Sequence, residues 1–132
     1  MIMHHDSLGT IAGRRILLIE DELAVRESLR RYFERLGASV IVAPDGEDGI
    51  RVMRESAVDV VVSDISLPGL SGLDLRRSIR ARWPGVPVIL MTGALASDVP
   101  QGELADWELL LKPFDLTHLG SAVVQALATR AG

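Results

Sequence analysis

Residues 58–72 read VDVVVSDISLPGLSG, and the parsing of this stretch decides the architecture. Its first half is a short, largely β-branched apolar run that closes on an acid, Asp64. Its second half, LPGLSG, is a turn. An apolar run of this length, bounded by turn signals and nearly free of polar alternation, reads as a strand covered on both faces. Four further segments have the same character: RILLIE at 15–20, SVIVA at 39–43, VPVILMT at 86–92 and WELLL at 107–111.

Between these runs the apolar period changes from that of a strand to that of a helix. From about Glu22 to Leu36, the residues Val25, Leu29, Tyr32, Phe33 and Leu36 share one face, and Gly37 supplies a C-terminal stop. A second helix follows the turn Pro44 to Gly46, with Ile50, Met53 and Ala57 inward. A third starts near Ser71, a capping residue, and buries Leu75, Ile79 and Trp83 before the Pro84-Gly85 stop. The last begins at Asp115 and turns Leu119, Val123, Ala126 and Leu127 inward. The segment Ala94 to Asp106 carries the weakest helical pattern, because Pro100 and Gly102 interrupt it, and at most a short helix fits there. Apolar strands alternating with helices imply a parallel, open α/β sheet covered on both sides.

At 132 residues the chain is expected to form one domain. Residues 1–13 (MIMHHDSLGTIAG) hold no sustained period and read as a flexible leader whose two histidines sit in an exposed tail, so the domain spans 14–132. Without cysteine there is no disulfide, thiol nucleophile or thiolate metal site. The apolar runs are too short to cross a bilayer and the N-terminus lacks a signal-peptide pattern, which points to the cytoplasm. Net charge is −4 and the thirteen arginines are dispersed, so no direct nucleic-acid surface is expected. Against those arginines stands a single lysine, Lys112.

In open α/β sheets, ligands bind beyond the carboxyl ends of the strands. The residues at those ends are Glu20, Asp21 and Glu22 after the first run, Asp64 after the third, Thr92 after the fourth and Lys112 after the fifth. If the first and third strands are neighbours, about 4.8 Å apart, Asp21 and Asp64 come within reach of one ion. Two carboxylates about 4 Å apart repel by roughly 4 kcal/mol at an effective dielectric of 20, so they call for a cation. Ligation by oxygen alone suits Mg²⁺ or Mn²⁺, and Mg²⁺ commonly shares its shell with a phosphate. Thr92 offers a hydroxyl donor and Lys112 a compact ammonium, which together complete a phosphoryl site. Glu22 reads as first-turn helix decoration, while Asp45, Asp48, Asp59, Asp74 and Asp98 fall in turns, helices or opposite strand ends.

The motifs ILLIEDE, DISLPGLSGLDL, ILMTG and LLLKPF occur in order along the chain from Arg14 onward. In this they resemble bacterial response-regulator receiver domains, the most specific match being Asp64 followed by Pro68 and Gly72. The resemblance implies a flavodoxin-like, doubly wound (βα)5 fold with strand order 2-1-3-4-5, and often a cis peptide before Pro113. It implies that Asp64 accepts a phosphoryl group from a phosphohistidine on a histidine kinase or phosphotransfer protein. Asp21 would then ligate Mg²⁺ directly, Glu20 more loosely and the backbone carbonyl of Ser66 as a third protein ligand, with Thr92 and Lys112 on the phosphoryl oxygens. Such a domain is a signalling phosphoacceptor that catalyses only its own phosphorylation and dephosphorylation, standing alone or as part of a hybrid kinase.

Two departures from the family pattern concern output. The position three residues before the lysine, commonly an aromatic that turns inward, is Leu109. Trp107 stands two residues earlier, where a continuous strand would place it on the same face as Leu109. The irregular segment before it alters a face that commonly carries output contacts. Competing readings are a receiver-like interaction module that takes no phosphate, and an aspartate-nucleophile phosphatase, which would want a second acid where this chain has Ser66.

Overall fold

A computed structural model describes residues 11–93, 102 and 104–131. The expectation for Ala94 to Asp106 therefore lies mostly outside the described residues. Five strands, β1 (Arg15–Ile19), β2 (Ser39–Ala43), β3 (Val60–Asp64), β4 (Val88–Thr92) and β5 (Leu109–Leu111), form one sheet. Among the described residues the helices are α1 (Leu23–Arg35), α2 (Gly46–Glu55), α3 (Gly72–Arg82) and α4 (Leu116–Ala131), and a 3₁₀ turn, Asp106–Glu108, leads into β5. All strand pairings are parallel and the order is β2-β1-β3-β4-β5, the order the sequence resemblance implies.

Alternate strand residues feed two apolar layers. Ile16, Leu18, Val60, Val62, Ile89 and Met91 pack with Leu29, Phe33, Leu119 and Val123 from α1 and α4. Leu17, Ile19, Val61, Val88 and Leu90 meet Val52, Met53, Leu75 and Ile79 from α2 and α3 on the other side. Every residue of β3 and β4 is buried, which is why these runs lack polar alternation.

The helix ends follow the sequence signals. Asp45 accepts from the Asp48 N–H at 2.8 Å, Ser71 Oγ from the Asp74 N–H at 3.2 Å and Asp115 from the His118 N–H at 2.8 Å. Gly37, at φ +93°, provides the left-handed residue after α1. The peptide between Lys112 and Pro113 is cis.

Three local expectations need correction. Ala57 lies beyond the end of α2 and is exposed; the inward stripe is Gly49, Val52 and Met53. A Cβ on Gly49 would stand 2.5 Å from Ile19 Cδ1, so the helix approaches β1 more closely than a larger residue permits. Trp107 belongs to the 3₁₀ turn, whose period breaks strand alternation. It packs on the α1/α4 layer while Leu109 packs on the α2/α3 layer, so the two do not share a face. Finally, Ile11 is fully buried in the core and the Gly13 N–H donates to the Gly37 carbonyl at 2.9 Å. The packed chain thus includes residues 11–13, which the sequence alone placed in the leader.

Candidate functional site

The parallel register sets Ile19 beside Ser63 and Asp64 beside Met91, so chain segments leaving β1, β3 and β4 emerge side by side at the carboxyl edge. Carboxylate oxygens of Glu20, Asp21 and Asp64 lie within 4.8 Å of one another. Glu20 and Asp64 are buried and Asp21 is exposed. Beyond β5, Lys112 extends its ammonium to Asp64, with Nζ 2.9 Å from Oδ2 and 3.9 Å from Glu20 Oε1. The other Asp64 oxygen accepts the Ser66 N–H at 3.0 Å. Thr92 is buried at the end of β4, and its carbonyl accepts the Lys112 N–H at 2.7 Å, which ties the lysine backbone to the neighbouring strand.

Glu20 bears the electrostatic cost of this assembly. Its Oε2 accepts the Glu22 N–H at 3.1 Å, but Oε1 is buried with no hydrogen-bond partner. Burial, with the neighbouring carboxylates of Asp64 and Asp21 adding to it, outweighs the Glu22 N–H and Lys112 and pushes the carboxyl up to about 7. For Lys112, burial opposes the charge. The hydrogen bond and charge of Asp64, with Glu20 and Glu22 behind it, outweigh that burial and hold the ammonium above its ordinary value.

Oxygen donors alone, three carboxylates against one ammonium, and a buried carboxylate oxygen without a hydrogen bond fit a hard divalent cation. The loop after Asp64 is held by a close approach that sequence reading did not find. Gly72, first residue of α3, donates its N–H to the Ile65 carbonyl at 2.9 Å, and a Cβ there would fall 2.6 Å from both the Asp64 carbonyl oxygen and Ile65 Cα. Arg26 was also missed; its guanidinium donates to the Glu20 backbone carbonyl at 2.8 Å.

A family model described as response regulator receiver domain matches residues 16–124, which takes in every one of these groups. The chain belongs to the response regulator receiver domain family. Receivers of this family serve two-component signalling. The receiver is 39% identical over 112 residues to the transcriptional activator protein PfeR of Pseudomonas aeruginosa, covering 83% of this chain and 36% of that protein. It thus spans about a third of the length of that curated relative. Among solved structures it is similar to a response regulator receiver domain protein from Clostridium thermocellum, with a TM-score of 0.81 and 31% identity over 89% of this chain and 97% of that one. It is also similar to the response regulator TrrA of Thermotoga maritima, solved in complex with Mg²⁺-BeF, with a TM-score of 0.75 and 28% identity over 86% of this chain and 99% of that one. No helix among the described residues is long and apolar enough to cross a membrane.

Proposed function

We propose that this receiver takes a phosphoryl group onto Asp64 from a phosphohistidine of a histidine kinase or histidine phosphotransfer protein. The observation that carries the reading is Asp64 itself: a buried carboxylate, gripped by Lys112, beside an acidic pair with one buried oxygen that accepts no hydrogen bond. An Asp64 oxygen attacks phosphorus, the P–N bond breaks, and the imidazole leaves with the electron pair. The product is an acyl phosphate. Lys112 turns from the carboxylate to a phosphoryl oxygen, and the Thr92 hydroxyl donates to another. These are acts of positioning and charge stabilisation.

Asp21 and Asp64 supply carboxylate ligands and Ser66 a backbone carbonyl for Mg²⁺, with Glu20 holding it more loosely; Mn²⁺ suits the same oxygen donors. When bound, the cation neutralises the carboxylates and the phosphoryl oxygens. The similar protein TrrA, solved in complex with Mg²⁺-BeF, supports this choice by likeness. Ser66 is small and leaves water a path to the acyl phosphate, so spontaneous dephosphorylation follows. The setting is the cytoplasm, and output passes through conformational change and protein contacts.

Incubation with acetyl phosphate and Mg²⁺, followed by intact mass, tests the reading. One phosphate adduct per chain, absent from Asp64→Asn, is the expected result. No adduct and no cation binding would instead indicate an interaction module that takes no phosphate. Repeated turnover of an external phosphoester would indicate a phosphatase.

A further inference from the structure

A buried ion pair lies on a direct route from Asp64 to the edge strand β5. Arg76 and Glu108 are both almost fully buried, at 2% and 6% exposure. The guanidinium meets one carboxylate oxygen through NH2 at 2.8 Å and Nε at 3.2 Å. The other oxygen accepts the Ala105 N–H at 2.7 Å, which fixes the 3₁₀ turn against the start of β5. Arg80, one turn further along α3, stands 3.7 Å from the oxygen that Arg76 holds, and its side chain is exposed. Glu108 therefore sits beside two cations spaced one helical turn apart.

Both ends of this link reach the phosphorylation site. Arg76 is one turn from Gly72, whose backbone packs on that of Asp64. Glu108 directly precedes β5, three residues long and hydrogen-bonded to β4 on one side only, and β5 leads into Lys112. The chain of contacts closes a ring: Asp64, α3, Arg76, Glu108, β5, Lys112 and Asp64 again. Beside Glu108 opens a cleft of about 240 Å³ lined by Arg80, Val86, Trp107, Ala126 and Thr129, which gives the turn room to shift.

We propose that Glu108, held between Arg76 and Arg80, relays the occupancy of Asp64 to the turn carrying Trp107. Lys112 leaves the carboxylate for a phosphoryl oxygen and draws β5 toward the site. Because α3 runs antiparallel to the strands, that motion carries Glu108 away from Arg80 and onto Arg76. Trp107, adjacent in the same turn, changes its surroundings with it. The relay rests on the phosphoacceptor reading of Asp64.

The test follows Trp107 emission in the full chain carrying Trp83→Phe, with and without acetyl phosphate and Mg²⁺, and with intact mass on the same samples. In this background the adduct and a change in Trp107 emission should appear together. Arg76→Met with Glu108→Leu replaces the pair by apolar groups and should keep the adduct but lose the emission change. Arg80→Gln alters only an exposed side chain, so folding is not at stake. It should move the resting emission toward that of the phosphorylated protein. An adduct without any emission change, a full change in the double variant, or an unmoved resting signal in Arg80→Gln would overturn the relay and leave the phosphoacceptor reading standing. Absence of the adduct from the Trp83→Phe protein would overturn both.

Discussion

At Glu20 a carboxyl is shut away from water beside two other acids, and its proton becomes a handle on the site. The ordinary value of 4.5 applies to the unfolded chain, whereas the folded protein holds the group at about 7. Between those values the native state keeps a proton that the unfolded state has released, so this contribution to stability is full below 4.5 and lost as pH rises through 7. In chelator, the melting temperature should fall between about pH 5 and about pH 8, and Glu20→Gln should flatten that slope. Mg²⁺ at the upper pH should restore stability by about 2.7 kcal/mol at a hundredfold excess over its dissociation constant. Thermal melts across pH, with and without Mg²⁺, check both outcomes. Asp21, Asp64, Thr92 and Lys112 were legible as candidates because strand ends converge in any open parallel sheet. The state of Glu20 was not, since it depends on burial and on an oxygen left without a hydrogen bond. Arg76 and Glu108 were equally invisible, because a charged residue within a helix or before a strand ordinarily reads as solvated.

Two elements meet with little tolerance where α3 begins. Gly72→Ala would drive a methyl into the Asp64 carbonyl and Ile65 Cα, backbone atoms with nowhere to retreat. A loss of about 1–3 kcal/mol is expected in urea unfolding, together with slower phosphate uptake from displacement of Asp64. Further along α3, Arg76→Ala strips the buried Glu108 of its two guanidinium hydrogen bonds and leaves it the Ala105 N–H and the exposed Arg80, and should cost about 3–5 kcal/mol. Paired replacement by Met and Leu should recover most of that loss, and a double-mutant cycle in urea measures the coupling. The elements themselves were largely readable. Capping residues and apolar period gave the four helices, and the runs gave the strands. β5 was overextended because WELLL is uniform in character while its first two residues belong to a 3₁₀ turn. Ala57 was misplaced because the helix ends before the next expected turn.

Across the whole molecule, stability is graded by position in the sheet. β3 and β4 have strand neighbours on both sides and every residue buried, whereas β5 is a three-residue edge. Hydrogen exchange should be slowest in β3 and β4 and fastest, among the strands, in β5. Exchange of β5 approaching that of β3 would contradict this ordering. The sheet order came from the family resemblance, because periodicity cannot show which strands adjoin. The chain also spends thirteen arginines on its surface and helices but keeps one lysine, and that lysine stands against Asp64. Apart from the N-terminal amine, an acylating reagent therefore finds a single side-chain amine in the protein. Asp64 helps hold that amine above its ordinary value and so lowers its free-base fraction, so Asp64→Asn should be acylated faster than the wild type, as intact mass over time would show. The composition thus gives this receiver a built-in chemical footprint: one covalent label whose rate reports whether Asp64 is holding its partner.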